Sequence, residues 1–398
     1  MLERTRRVLL DADRVPSPCF VVDASLLARN AAILDSVQER TGAKILLALK
    51  GFAMWGLFDV LSRAKHGPLY GVCASSPHEA RLGREEFGGE VHAFAAAWSE
   101  ADMAETLPYV DHIVFNSFTQ WQRFAPRLAA FARERGRAID VGLRLNPEHS
   151  EGTTPLYDPC APGSRLGIRP HAFARAVREY GLDGIDGLHF HTLCEQGADA
   201  LERTLAAVEG HFGRYFHGLR WLNFGGGHHI TREGYDLDLL CRTITRTRER
   251  YNLAVYLEPG EAVALNAGWL VATVLDIVDA DMPIAVLDTS AAAHMPDVLE
   301  MPYRPQVVDA GEPGQKPCTF RLAGKSCLAG DVIGEYSFAR PLEVGQRLIF
   351  TDMAIYSMVK TTTFNGLQLP AIAAWYPERD ALHILRRFGY ADFKQRLS

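Results

Sequence analysis

The residues able to do chemistry in this 398-residue chain sit at the ends of apolar runs. The run from Ile45 to Leu49 ends on Lys50, with Gly51 directly after it. Such a run reads as a buried strand. In a parallel α/β fold its carboxyl end opens onto the ligand face. Lys50 is then an amine at the mouth of a site with an apolar wall behind it. Desolvation there lowers the pKa of a lysine, and a neutral amine attacks an aldehyde to form a Schiff base. Taken alone, a lysine at a strand end is more simply a surface residue. Gly225, Gly226 and Gly227 follow WLNF; three glycines bring free backbone amides close to an anion, although a triplet also makes a tight turn. Glu258 opens EPGE at the end of another run. It is a general base, a salt-bridge partner, a partner for a ring nitrogen, or a helix-capping acid. His189 and His191 are two apart, on one face of a strand. That spacing suits metal ligands, but a metal needs further His or Asp at other strand ends, and the strong groups there are a lysine, glycines and a glutamate. No metal is expected. His191 is read as packing on a planar ligand and His189 as structural. His228 and His229 either touch a phosphate or cap the next helix.

Together these make one set: an aldehyde-reactive amine, an anion cradle, an imidazole plane and a carboxylate. Pyridoxal 5′-phosphate needs this set, with its aldehyde on Lys50, its phosphate on the glycine amides and its pyridine nitrogen on Glu258. A carboxylate at that nitrogen keeps it protonated and makes the ring a strong electron sink. Loss of carbon dioxide through a carbanion is the reaction this favours.

The elements that must position these groups alternate. Strands are expected at the Lys50 run, 69–74, 90–95, 112–116, 139–145, 185–191, 220–224 and 253–257, with helical stretches between them. Eight strands alternating with helices predict a (β/α)8 barrel. Ser76, Pro77 and Glu79 mark one helix start, as a capping box with proline at the first helical position. After about Gly268 turn residues separate short strands at 271–278, 283–288, 319–322, 347–351 and 381–387, which predicts an antiparallel β-sandwich or barrel. Residues 19–23 form a strand that joins it. The division is 25–267 for the cofactor-binding barrel and 268–398, with 1–24, for the β domain. The stretch 153–170, rich in Gly and Pro, is a long loop on the ligand side, where long loops are usually functional.

Composition excludes several classes. Hydrophobic residues make up 47% and charged residues 23%, as in an ordinary soluble protein. A net charge of −6 without a basic run argues against nucleic acid as the partner. No stretch is apolar for long enough to span a bilayer, and the first residues lack the apolar core of a signal peptide. Seven scattered cysteines with no CxxC pair fit reduced thiols in the cytoplasm.

The chain resembles the fold-type III pyridoxal-phosphate decarboxylases of the alanine racemase/ornithine decarboxylase superfamily. Within it the chain looks most like the carboxynorspermidine/carboxyspermidine decarboxylases of polyamine biosynthesis. PCFVVD, LLALKGF, SRLGI, HFHTLCEQ, NFGGG, EPGEA, HMPDVLEMPYRP, KSCLAGD and YSMVKTTTFNG carry the likeness over nearly the whole chain. The resemblance implies that Lys50 holds the cofactor, His191 stacks on its ring, and Gly225, Gly226, Gly227 and Tyr356 bind its phosphate. It implies a homodimer with shared sites, in which Cys327 comes from the partner subunit as proton donor and Asp331 lies in the same loop near the substrate. Glu261 and Asp297 would bind the cationic amines. Ornithine and diaminopimelate enzymes place an arginine where Glu261 stands, and ornithine enzymes an acid where Leu328 stands. A long cationic substrate is thus implied over a small diamino acid, with a diaminopimelate- or ornithine-type enzyme as the alternative. The racemases of this superfamily place an arginine where Glu258 stands. A cofactor carrier would lack the β domain.

Overall fold

The computed structural model describes residues 10–152 and 155–398. Residues 1–9, part of the stretch read for a signal peptide, and Thr153 and Thr154 of the 153–170 loop lie outside the described residues. The chain folds as two compact units: Ala28–Val263, and the residues up to Leu27 together with Ala264–Ser398.

Strand β1 (Cys19–Asp23) belongs to the second of these units. The first is a closed parallel barrel of β2 (Lys44–Ala48), β3 (Gly71–Ala74), β4 (Glu90–Phe94), β5 (His112–Phe115), β6 (Asp140–Leu145), β7 (Gly187–Phe190), β8 (Trp221–Asn223) and β9 (Ala254–Leu257). The barrel closes where Lys44 and Ile45 pair with Tyr256 and Leu257. All eight strands expected from the apolar runs are present, and neighbours such as Ile45, Leu47, Leu143 and Leu188 are fully buried.

Trp221 explains two glycines in these strands. A Cβ on Gly142 would lie 2.3 Å from its ring, and one on Gly187 2.0 Å away. The large ring on β8 therefore fills the barrel only because β6 and β7 carry no side chain at those places. Between β3 and β4 the helix Pro77–Leu82 starts as expected: Ser76 Oγ accepts from the Glu79 N–H, and Glu79 reaches back to the N–H of Ser75. At the amino end of the barrel Glu90 gathers Lys44, the Tyr256 hydroxyl and His92. His92 stacks on His112, with ring centroids 3.8 Å apart and 11° between the ring planes. That end of such a barrel serves stability.

The second unit holds β1 with β10 (Gly268–Val278), β11 (Ile284–Leu287), β12 (Cys318–Ala323), β13 (Val332–Phe338), β14 (Arg347–Thr351), β15 (Ala371–Tyr376) and β16 (Ala381–Arg386). They form one sheet in the order β13-β12-β11-β10-β1-β15-β16, with β14 also on β10. The expected antiparallel arrangement holds for most pairings, but β1 runs parallel to β15 and β11 parallel to β12, so the sheet is mixed. Its core packs Val21, Trp269, Val271, Ala373 and Trp375. No helix among the described residues is long and apolar enough to cross a membrane. All seven cysteines are free.

Candidate active site

Lys50, His191, the glycine triplet and Glu258 each lie just past the carboxyl end of a barrel strand: β2, β7, β8 and β9. This is the end at which barrels of this type build their sites. The Lys50 turn is locked in place. Ala48 N–H donates to the Pro259 carbonyl at 3.0 Å, Leu49 N–H to Cys73 at 3.1 Å, and Gly51 N–H back to Ala48 at 2.9 Å. A Cβ on Gly51 would meet Gly260 at 2.8 Å, so only glycine lets these two turns touch. Lys50 itself is exposed. Leu49 and Gly51 on either side of it are buried. Among the described residues its ammonium makes no hydrogen bond or ion pair.

Glu258 is buried and held from two sides. Asn223 Nδ2 donates to Oε1 at 2.7 Å, and His189 Nε2 lies 3.2 Å from Oε2. Burial alone raises a carboxyl pKa, but His189 and the Asn223 hydrogen bond outweigh it, and Glu258 is held at about 2. Burial pushes the His189 imidazole down, against the opposing pull of the Glu258 carboxylate. The helix-capping reading of Glu258 does not hold, and His189 is part of the site. The Asn223 carboxamide also accepts from the Gly225 N–H at 2.9 Å, which ties the acid to the glycine turn.

The turn itself has no room for side chains. A Cβ on Gly225 would sit 2.4 Å from the Phe190 carbonyl, one on Gly226 2.3 Å from that of Glu258, and one on Gly227 1.9 Å from that of Leu193. Gly225 and Gly227 have φ of +67° and +82°. The amides are not all free, as the sequence reading had them. Gly225 donates to Asn223, and Gly226 donates to His191 Nδ1 at 2.9 Å; among the described residues only the Gly227 N–H keeps no partner. His228 and His229 do not cap the next helix, Leu237–Tyr251, which Asp236 caps. Instead His228 bridges to Gln196, and His229 Nε2 lies 3.2 Å from Glu261 Oε2. Glu195, in HFHTLCEQ, is near enough to Glu261 for partial burial and that carboxylate to raise its own carboxyl.

These residues fit pyridoxal 5′-phosphate. They offer a free amine, a carboxylate held ionised for a ring nitrogen, and a cradle whose floor a Cβ would fill.

The remaining expected residues lie in the second unit. Tyr356 is half-buried with φ +29°, a strained value for a non-glycine residue. Cys327 is exposed, and its N–H donates to Asn365 Oδ1 at 2.6 Å. Asp297 is not a free acid: its Oδ1 lies 2.5 Å from Lys360 Nζ, which Glu300 also holds at 2.5 Å. Asp331 is 2% exposed, and its oxygens accept from Ser290 Oγ, the Ala291 and Ala292 amides and Ser326 Oγ. A contact with substrate is thereby corrected to a clamp joining the Cys327 loop to the segment that begins at Ser290. Asp331→Ala leaves those buried donors without an acceptor. It is expected to cost roughly 3 kcal/mol or more of unfolding free energy, read from a urea titration; a loss under about 0.5 kcal/mol would refute the clamp.

A family model described as pyridoxal-dependent decarboxylase, C-terminal sheet domain, matches residues 19–354. The chain is 44% identical to carboxyaminopropylagmatine decarboxylase of Synechocystis sp., over 96% of each protein. It is 38% identical to carboxynorspermidine/carboxyspermidine decarboxylase of Campylobacter jejuni, over 96% of this chain and 99% of that one. A crystal structure of carboxynorspermidine decarboxylase from Campylobacter jejuni, complexed with norspermidine, superposes with a TM-score of 0.86 over 96% of this chain and 100% of that one, at 38% identity. A match of this extent, on a barrel whose strand ends bring an amine, a glycine cradle and an ionised glutamate together, places the chain in the family of pyridoxal-dependent decarboxylases.

Proposed function

We propose that this protein removes the α-carboxylate of a carboxylated polyamine, carboxynorspermidine or carboxyspermidine, to give norspermidine or spermidine. The observation that carries this reading is Glu261. A half-buried carboxylate 3.2 Å from His229 Nε2, with Glu195 nearby, sits one turn beyond Glu258. Acids there attract a cationic chain and repel a second carboxylate. The likeness to a norspermidine-bound relative supports the same reading.

When bound, pyridoxal 5′-phosphate supplies an electron sink for the pair released as carbon dioxide departs. Lys50 would hold the cofactor at its aldehyde carbon. Glu258, ionised throughout the physiological range, holds a proton at the ring nitrogen. His191 would offer its face to the ring, and the glycine turn would seat the phosphate. Cys327 returns a proton to the substrate carbon, reaching the site of a second copy of the chain in a homodimer.

A second reading is favoured by the 44% identity to a carboxyaminopropylagmatine decarboxylase, whose substrate ends in a guanidinium. The test is carbon dioxide release with carboxynorspermidine, carboxyspermidine, carboxyaminopropylagmatine, diaminopimelate and ornithine side by side. Preference for diaminopimelate or ornithine would overturn the substrate reading. Glu261→Arg is expected to lower kcat/KM for the preferred polyamine about 10-fold or more, with cofactor absorbance retained. Equal loss of both would place Glu261 at the cofactor instead.

A further inference from the structure

Arg144 is a charged residue inside an apolar strand. It lies on β6 in register with His189 of β7, is 5% exposed, and has a guanidinium that stays charged. Its Cζ lies 4.5 Å from the centroid of the Phe94 ring, and its Nη2 donates to the His191 carbonyl at 3.0 Å. That carbonyl belongs to the first residue beyond β7, where the chain leaves the strand and the His191 ring must be aimed.

We propose that Arg144 is a positioning residue of the site: held between the Phe94 ring and the His191 carbonyl, it fixes the point at which His191 leaves β7 and so keeps His191 Nδ1 on the Gly226 amide. That nitrogen accepts the Gly226 N–H at 2.9 Å, so it carries no proton. A protonated His191 would set N–H against N–H and open the glycine turn. The groups around the ring work against such protonation. Burial, then Lys50 and Arg144, then His189 and His228, push His191 well below the ordinary histidine value. Glu258, the nearby anion, is already engaged by His189 and Asn223. Arg144 thus acts twice on His191, by a hydrogen bond to its backbone and by a buried positive charge. Burial lowers Arg144 itself only to about 10, so the charge persists at working pH.

The cofactor arm of the test rests on the proposed function; the imidazole arm does not. Arg144→Gln and Arg144→Lys would be purified beside the unaltered protein. Pyridoxal 5′-phosphate affinity would be measured by absorbance near pH 8 and near pH 6, on either side of the ordinary histidine value. The unaltered protein is expected to bind alike at both. Arg144→Gln should bind within about 3-fold of it near pH 8 and weaken about 10-fold or more near pH 6. Arg144→Lys, which keeps the charge and can still donate, should recover most of that loss. In the second arm, labelled histidine is titrated by NMR without cofactor, with His191 assigned from His191→Gln. His191 should titrate at a higher pH in Arg144→Gln than in the unaltered protein. Equal pH dependence in Arg144→Gln and the unaltered protein, or a uniform loss at both pH values, would overturn the proposal. If Arg144→Gln does not fold, a pH dependence in Arg144→Lys equal to that of the unaltered protein supports the role of the charge, and a uniform loss overturns it. If the unaltered protein binds no cofactor, the proposed function fails while the imidazole titration still decides the role of Arg144.

Discussion

Lys50→Ala is expected to lower kcat/KM at least about 10³-fold and to remove the near-visible absorbance of the purified protein. The size follows from how few amines stand in the barrel. Among residues 28–263 the lysines are Lys44, Lys50 and Lys65. Lys44 opens β2 at the opposite end of the barrel and is paired with Glu90, and Lys65 sits in the short turn Arg63–Lys65. Neither stands at a carboxyl strand end. The substitution changes little else, because Lys50 is exposed and its turn is fixed by the backbone of Ala48, Leu49 and Gly51. Unfolding free energy should therefore move by less than about 0.5 kcal/mol. Retention of the absorbance band in a folded variant would mean that another amine holds the cofactor.

Glu258→Gln is expected to lower kcat by roughly 10² to 10³ while changing KM by less than about 3-fold. The amide keeps the shape but loses the charge that would hold a proton at a ring nitrogen. It also leaves Asn223 Nδ2 and His189 Nε2 competing for one remaining acceptor oxygen. Because Glu258 is held at about 2, its charge is constant over the working range. The variant should then lower the plateau of the pH–rate profile and leave its limbs where they are. The sign for stability follows from the same shift. A carboxyl depressed in the folded state stabilises the fold above its ordinary value near 4.3, and that contribution is lost as pH falls toward about 2. Glu258→Gln should lack this component of acid sensitivity. A kcat within about 3-fold of the unaltered protein would remove Glu258 from the chemistry.

The barrel was legible because its strands are buried on both faces and read as apolar runs. Lys50, His191, the glycines and Glu258 were legible because each follows such a run. β13 and β15 were not. Val332–Phe338 contains Gly334 and lacks a two-residue alternation in its burial, and Ala371–Tyr376 is half alanine and lies between Pro370 and Pro377. The parallel partner of β1 lies some 350 residues away in the sequence, and no local pattern announces it. Within the site, Asn223 and Arg144 were passed over as parts of strands. A lone polar or charged residue inside an apolar run was the available signal, since it is tolerated there only when it has inward partners. Asp331 was misassigned because loop membership says nothing about burial. Its oxygens turned out to be spent on serine hydroxyls and helix amides.

The Asp331 clamp bears on how substrate preference in this chain can be re-engineered. One carboxylate secures both the loop carrying Cys327 and the start of the segment carrying Asp297 and Glu300, and Lys360 in turn holds those two acids. Three pieces distant in sequence form one exchangeable cassette. Grafting a relative's loop alone would strand half of a shared set of bonds, whereas moving residues 290–301, 324–331 and 356–366 together carries both halves.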